Sequence, residues 1–345
     1  MNELYKERLE LLSHGESFVL ASIFDSQGSA PRKSGARMII KEDGSIIGTV
    51  GGGKVEALVI LHGKEIFETK KTVLEEYKLQ EADDQGIGMA CGGEVSILLE
   101  YVTPQDISNI LLYQEVVKYM GKNEKANIIR KFYLDGSCVS CLYKNGEVIF
   151  HSNALQKEDF SKYSEQLRFR ELLCIKEEDG AVLIEPVCNL GRVYLFGAGH
   201  VSQKCADLLK KLDFIVTVVD DRAEFANKER FPTADEIIIS NSFEGCFTEV
   251  AIDKDSYIII LTRGHLFDLT VLEQSLKTDA YYIGMIGSRK KRNVVYDKLK
   301  EAGFTLKDFK RVYNPIGLAI GAETPQEIAV SIAAELIKVR RDRIG

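Results

Sequence analysis

In the second half of the chain the apolar residues fall into short runs, VYLF, FIVTVV, EIII, YIIIL and YYIGM, separated by longer stretches in which apolar positions recur three and four apart. Short apolar runs suit strands and the spaced pattern suits amphipathic helices; their alternation marks a parallel sheet wound with helices on both faces. The pattern predicts strands over Val193–Phe196, Phe214–Val219, Glu236–Ile239, Tyr257–Leu261 and Tyr281–Met285. Helices are predicted over about 200–211, 266–277, 288–302 and 325–341.

Before CNLGR (188–192) the pattern differs. MNELYKERLELLSHGES has apolar residues at helical spacing, and Phe18 to Tyr101 reads as strands, glycine turns and one helix at about 54–69. RMIIKEDGSIIGTV forms a hairpin around Asp43-Gly44. A helical stretch at about 104–127 precedes strand-like ANIIRKFYL, CLYKNGEVIF and GAVLIEPV, with Asn145-Gly146 and Asp179-Gly180 as turn signals. At 345 residues the chain exceeds one typical core. The fold expected is α/β: a mixed α+β domain over 1–187, then a Rossmann-like doubly wound domain over 188–345.

Charge narrows the function. With 45 Lys and Arg against 52 Asp and Glu the net charge is -7, which argues against a dedicated nucleic-acid binder while permitting a local anion site. The N-terminal segment lacks the unbroken apolar stretch of a signal peptide or spanning helix, so a cytoplasmic protein without a membrane role is expected. Seven scattered cysteines fit a reduced compartment. Cys138 and Cys141 form a CxxC within a strand-like run, where positions three apart face opposite sides, so structural roles are expected for both.

The chemistry concentrates at predicted strand ends. GAGHVS places Gly197 and Gly199 between a strand and a helix, with Ser202 in place of a third glycine. Gly197 permits the turn, Gly199 lets the backbone approach a phosphate, and the helix start offers free N–H groups beside His200. Asp220-Asp221 ends the next strand at the spacing of a ribose acceptor, and Asp220 is the preferred candidate. Thr262, Arg263, Gly264 and His265 follow the fourth strand, and Gly287, Ser288 and the basic run from Arg289 follow the fifth. Cations in a first helical turn oppose the helix dipole, a conflict that a bound anion removes.

A nicotinamide-dependent oxidoreductase would place NAD on the same turn and would need a proton shuttle. His200 and His265 are the only histidines after residue 190, and neither has a partner legible in the sequence.

In the first half, GTVGGGKVEA resembles a phosphate loop, but Val55 stands where a magnesium-binding hydroxyl would be, which argues against a nucleotide hydrolase. Gly51, Gly52 and Gly53 still open a helix and can present N–H groups to an anion. GIGMACGGEV sets Cys91 among glycines. It reads either as a small core cysteine or as an accessible thiol able to contact a metal.

In order along the chain, GSAPRKSGARM, GTVGGGKVEA, ACGGEV, LFGAGHV, VVDDR, TRGH, YIGMIGSRKK and NPIGLAIGAETPQEIAVSI resemble the xanthine dehydrogenase accessory factors, the XdhC/CoxI family. Only about 106–185 lacks such segments. The resemblance implies a cytoplasmic maturation factor, a chaperone more than a catalyst. It would bind molybdenum cofactor, as molybdopterin or its cytosine dinucleotide, keep it during sulfuration, and deliver it to a xanthine dehydrogenase-type molybdenum hydroxylase. It also implies a cysteine desulfurase as sulfur donor and is compatible with a homodimer. Cys91 and the Gly51–Gly53 turn, facing the phosphate crest, would then lie toward the metal end.

Overall fold

The computed structural model describes residues 2–28, 35–79, 93–121, 126–134, 137–144, 146–152, 159–167, 172–187 and 191–342. The chain divides into two compact units, Met1–Cys188 and Asn189–Gly345.

The first unit runs α1 (Asn2–Ser13), β1 (Phe18–Gly28), β2 (Arg37–Lys41), β3 (Ile46–Gly48), α2 (Gly53–Thr69), β4 (Val73–Leu79), β5 (Gly93–Val102), α3 (Ile107–Gly121), β6 (Ala126–Tyr133), β7 (Cys138–Lys144), β8 (Glu147–His151), β9 (Leu173–Glu177) and β10 (Gly180–Val187). Its strands form two antiparallel sheets, ordered β3-β2-β1-β5-β4 and β8-β7-β6-β10-β9. Alternation along β1 explains the layering: Val19, Ala21 and Ile23 pack with α2 residues Val55, Val59 and Ile66, while Phe18 and Leu20 join a core with α1, α3 and β6. The β2–β3 hairpin turns at Asp43-Gly44, where the Asp43 carboxylate accepts the Ser45 N–H at 2.8 Å.

A charged layer lies inside this unit. Arg8, Arg37 and Arg130 are buried with Glu100 and Glu185. Arg37 reaches Glu185 at 2.5 Å and Arg130 reaches Glu100 at 2.5 Å, while Tyr5 donates to Glu185 and Tyr113 accepts from Arg130 at 2.8 Å. Burial alone would push the Glu185 carboxyl up, but Arg37, Arg8 and Arg130 together hold it down, to about 2. In β7, Cys138 is exposed and Cys141 buried, as strand alternation requires.

The second unit runs β11 (Arg192–Phe196), α4 (His200–Lys211), β12 (Ile215–Asp220), β13 (Glu236–Ile239), β14 (Ser256–Ile260), α5 (His265–Leu276), β15 (Tyr282–Met285), α6 (Arg289–Glu301), α7 (Leu306–Phe309), β16 (Val312–Tyr313) and α8 (Pro325–Asp342). The strands are parallel, in the order β13-β12-β11-β14-β15-β16. This is the Rossmann-like sheet expected, and each of the five predicted strands appears within a residue of its predicted ends.

Period-two alternation again decides the layers. Val193, Leu195, Val216 and Val218 face a core with Cys205 and Leu209 of α4 and Ile332 and Leu336 of α8. Tyr194, Phe196, Ile258 and Ile260 face the other core with α5 and α6. Between β12 and β13 the crossover has no helix and is packed instead by Phe225, Ala226, Phe231 and Ala234. The strand order reverses between β11 and β14, the position at which open parallel sheets collect ligands.

Candidate functional site

The carboxyl ends of β11, β14 and β15 lie side by side, and α4, α5 and α6 each begin within five residues of those ends. Three helix starts therefore share one crest, each with N–H groups that no preceding turn can satisfy.

The turn after β11 explains its first glycine from within the fold. Gly197 has φ 108°, and a Cβ there would run into the carbonyl of Leu261 on the loop after β14. The second glycine has no such reason. Gly199, the N-cap of α4, has φ -78°, available to any residue, and a Cβ built on it meets nothing within 4 Å. Gly264, the N-cap of α5, has extended backbone, and its Cβ would make only an ordinary contact with Phe267. Neither cap uses a side-chain hydrogen bond. What Gly199 preserves is open space above the α4 N-terminus.

Ser288 caps α6 by accepting the Lys291 N–H at 3.3 Å, and Gly287 before it has φ 146°. Lys291 pairs with Asp268, a buried carboxylate in the first turn of α5 that also accepts the Thr262 hydroxyl at 2.6 Å. Burial pushes the Asp268 carboxyl above its usual range, opposed by its bonds to Lys291 and Thr262. Arg289 and Lys290 are exposed, with no hydrogen-bond or ion-pair partner among the described residues. Asp268 escaped sequence reasoning although its place four residues after Gly264, inside a predicted helix start, was a usable signal.

Asp220 sits differently from a free ribose acceptor. It is 1% exposed; one carboxylate oxygen accepts the Ala198 N–H at 2.7 Å, and the other accepts the Arg222 N–H at 3.1 Å. The Arg222 guanidinium completes the set at 2.9 Å and 3.1 Å. Asp220 thus braces the glycine turn. Its neighbour Asp221 is the more accessible carboxylate and forms a two-pronged ion pair with Arg263, one prong at 2.7 Å. Hydrogen bonds from Arg263 hold the Asp221 carboxyl below its usual range. Arg263 also lies over the Phe267 ring, 4.1 Å from its centre. His200 and His265 are exposed first residues of their helices, with no hydrogen-bond or ion-pair partner among the described residues.

In the first unit the glycine turn expected to face an anion already holds one of the chain's own. Glu56 accepts the Thr49 hydroxyl at 2.5 Å and the N–H groups of Val50 and Gly52 at 3.2 Å each, while the Gly51 N–H donates to Thr49 at 3.0 Å. The reading of Gly51–Gly53 as an open cradle is therefore corrected, because a carboxylate one turn into α2 folds back over it. Glu56 lay within the GTVGGGKVEA motif, but its backward reach is a tertiary fact. Cys91 lies outside the described residues, and among those described no group of three or more His, Cys, Asp or Glu stands together as a metal site.

The parallel six-stranded sheet and its crest of helix starts define a Rossmann-type domain preceded by an antiparallel α+β unit. A model of the XdhC Rossmann domain matches residues 193–336, and a model of the XdhC and CoxI family matches residues 11–78. The chain belongs to the XdhC/CoxI family.

A Bacillus subtilis protein described as a probable xanthine dehydrogenase component is 28% identical, covering 96% of this chain and 96% of its own. The Escherichia coli K12 molybdenum cofactor insertion chaperone PaoD is 22% identical over 96% of this chain and 86% of its own. The E. coli protein YqeB is 25% identical over 99% of this chain, which spans 47% of that relative's length. A crystal structure from Bacillus halodurans, described as a xanthine dehydrogenase, superposes with a TM-score of 0.80 at 26% identity, covering 97% of this chain and 96% of that one.

Proposed function

We propose that the chain is a maturation factor for a xanthine dehydrogenase-type molybdenum hydroxylase, and that its second unit holds the phosphate end of molybdenum cofactor on the crest of α4, α5 and α6. One observation carries the proposal: Gly199 caps a helix with a backbone any residue could adopt and with open space where its side chain would be. A glycine at a helix N-terminus, with neither strained backbone nor a crowding neighbour to require it, suits close approach of a phosphate. The partnerless Arg289 and Lys290 on the same crest add the countercharge.

The family and the similarity to PaoD support molybdenum cofactor as the ligand. Molybdopterin carries a phosphate, and its cytosine dinucleotide a diphosphate and ribose; both suit helix N–H groups and cations. When bound, the cofactor supplies the molybdenum centre that takes up the terminal sulfido ligand. The chain's part is to bind, orient and shield it, which requires no proton shuttle of His200 or His265. On this reading a cysteine desulfurase donates the sulfur, the hydroxylase receives the loaded cofactor, the assembly is a homodimer, and the compartment is the cytoplasm. No described helix is long and apolar enough to cross a membrane.

The test is purification of the full chain without oxygen from cells making molybdenum cofactor, followed by metal and pterin analysis, with NAD titrated in parallel. Co-purified molybdenum and pterin, lost in a Gly199→Val variant that melts like the parent, is the expected result. Retention of NAD with hydride transfer to any substrate would overturn it.

A further inference from the structure

The Asp221–Arg263 pair joins the loops that follow β12 and β14, and in the sheet those strands flank β11, whose end carries the glycine turn. A ligand settling over Gly199 would therefore have this pair on the two neighbouring loops. Asp220 is not free to receive it, being 1% exposed with both carboxylate oxygens engaged by Ala198 and Arg222. Asp221 and Arg263 have side chains 15% and 36% exposed, so the pair is open to solvent on the Arg263 side, where another anion can take the place of the carboxylate.

We infer that the pair is a latch that exchanges partners: Arg263 leaves Asp221 for the ligand's diphosphate, and Asp221, released, accepts the hydroxyls of the adjoining ribose. This rests on the phosphate-crest reading above and adds the residue pair that would select a ribose diphosphate over a phosphate alone.

Both partners are held for the exchange. The Phe267 ring beneath Arg263 keeps the guanidinium on the crest when the carboxylate is gone. Arg222, with its Nε 3.7 Å from Asp221 and its plane over Phe225 at 3.8 Å, keeps a positive charge beside the released carboxylate. The flat fork of Arg263 that now grips two carboxylate oxygens suits two phosphate oxygens equally well. A phosphate without ribose would break the pair and leave Asp221 only the charge of Arg222, which Asp220 already engages, so the latch favours ligands that satisfy both halves.

The experiment titrates inorganic pyrophosphate and cytidine 5′-diphosphate into the full chain and into Asp221→Asn, Arg263→Gln and the double variant, with melting temperatures as a fold control. The parent should bind both, the nucleotide more tightly. Asp221→Asn removes the internal competitor, so pyrophosphate should bind about fivefold tighter, the scale of an exposed ion pair. The nucleotide's advantage over pyrophosphate should shrink about tenfold as the charged acceptor of the ribose hydroxyls is lost. Arg263→Gln should weaken both probes while preserving that advantage, and in the double variant the gain for pyrophosphate should vanish. If Asp221→Asn leaves pyrophosphate affinity unchanged or lowers it while the parent binds both probes, the latch is wrong and the phosphate site stands. A parent that binds neither probe overturns the phosphate site and the latch together.

Discussion

The Asp220 carboxylate accepts the Ala198 N–H at 2.7 Å, tying the end of β12 to the middle of the glycine turn after β11. The residue that sequence spacing nominated to touch a ligand instead shapes the backbone that would touch it. Asp220→Ala should destabilise the second unit by about 1–3 kcal/mol, because the Ala198 N–H is left without an acceptor. Urea unfolding followed in the full chain should register it, and Asp221→Ala, at an exposed ion pair, should cost about 1 kcal/mol or less.

The two glycines of the turn should separate stability from binding. Gly197→Ala meets both a left-handed backbone and the Leu261 carbonyl, and should lower stability by more than about 2 kcal/mol. Gly199→Ala meets neither and loses only the N-cap preference for Gly over Ala, so it should cost about 1 kcal/mol or less while weakening phosphate-ligand binding about tenfold or more. Calorimetric melts beside ligand titrations check both halves; a Gly199→Ala protein that melts early would mean the glycine is structural.

Arg289 and Lys290 start a helix whose dipole they oppose. Replacing both with Ala should stabilise α6 slightly, by about 0.3–1 kcal/mol per residue, yet weaken anion binding and flatten its dependence on salt. Affinity measured at several salt concentrations reads this directly. Equal slopes in parent and variant would remove these cations from the site.

In the first unit, Glu185 is held ionised among Arg37, Arg8 and Arg130. A depressed folded pKa means that its stabilisation is complete above the ordinary glutamate range near 4.5 and is lost as pH falls toward about 2. Glu185→Gln should therefore cost about 3–5 kcal/mol at neutral pH, the scale for breaking a buried pair, and the penalty should narrow as pH drops through that window. Denaturant melts of both proteins from pH 7 to pH 3 give the comparison; a penalty that stays constant would deny Glu185 its charge.

Much of the second unit was legible because a parallel sheet leaves its record in local pattern: strands buried on both faces read as short apolar runs, and amphipathic helices fall between them. The glycines at 197, 199 and 287 marked the turns, since turn chemistry is also local. The first unit was legible only as a mixture of strands and helices. Its division into two sheets depends on β1 pairing with β5 and β6 with β10, contacts between positions tens of residues apart on which local periodicity is silent.

The sequence by itself determined which stretches become strands and helices, and which turns present N–H groups at the sheet's carboxyl edge, because both follow from residue type and spacing over a few positions. Only the tertiary structure decided the roles of the charged residues there. Asp220 became a brace and Asp221 the more accessible carboxylate, paired with Arg263; Glu56 filled the Gly51–Gly53 turn; Asp268 was buried and met Lys291. The reason is that a carboxylate bonds whichever donor folding brings within about 3 Å, and that distance spans any separation along the chain.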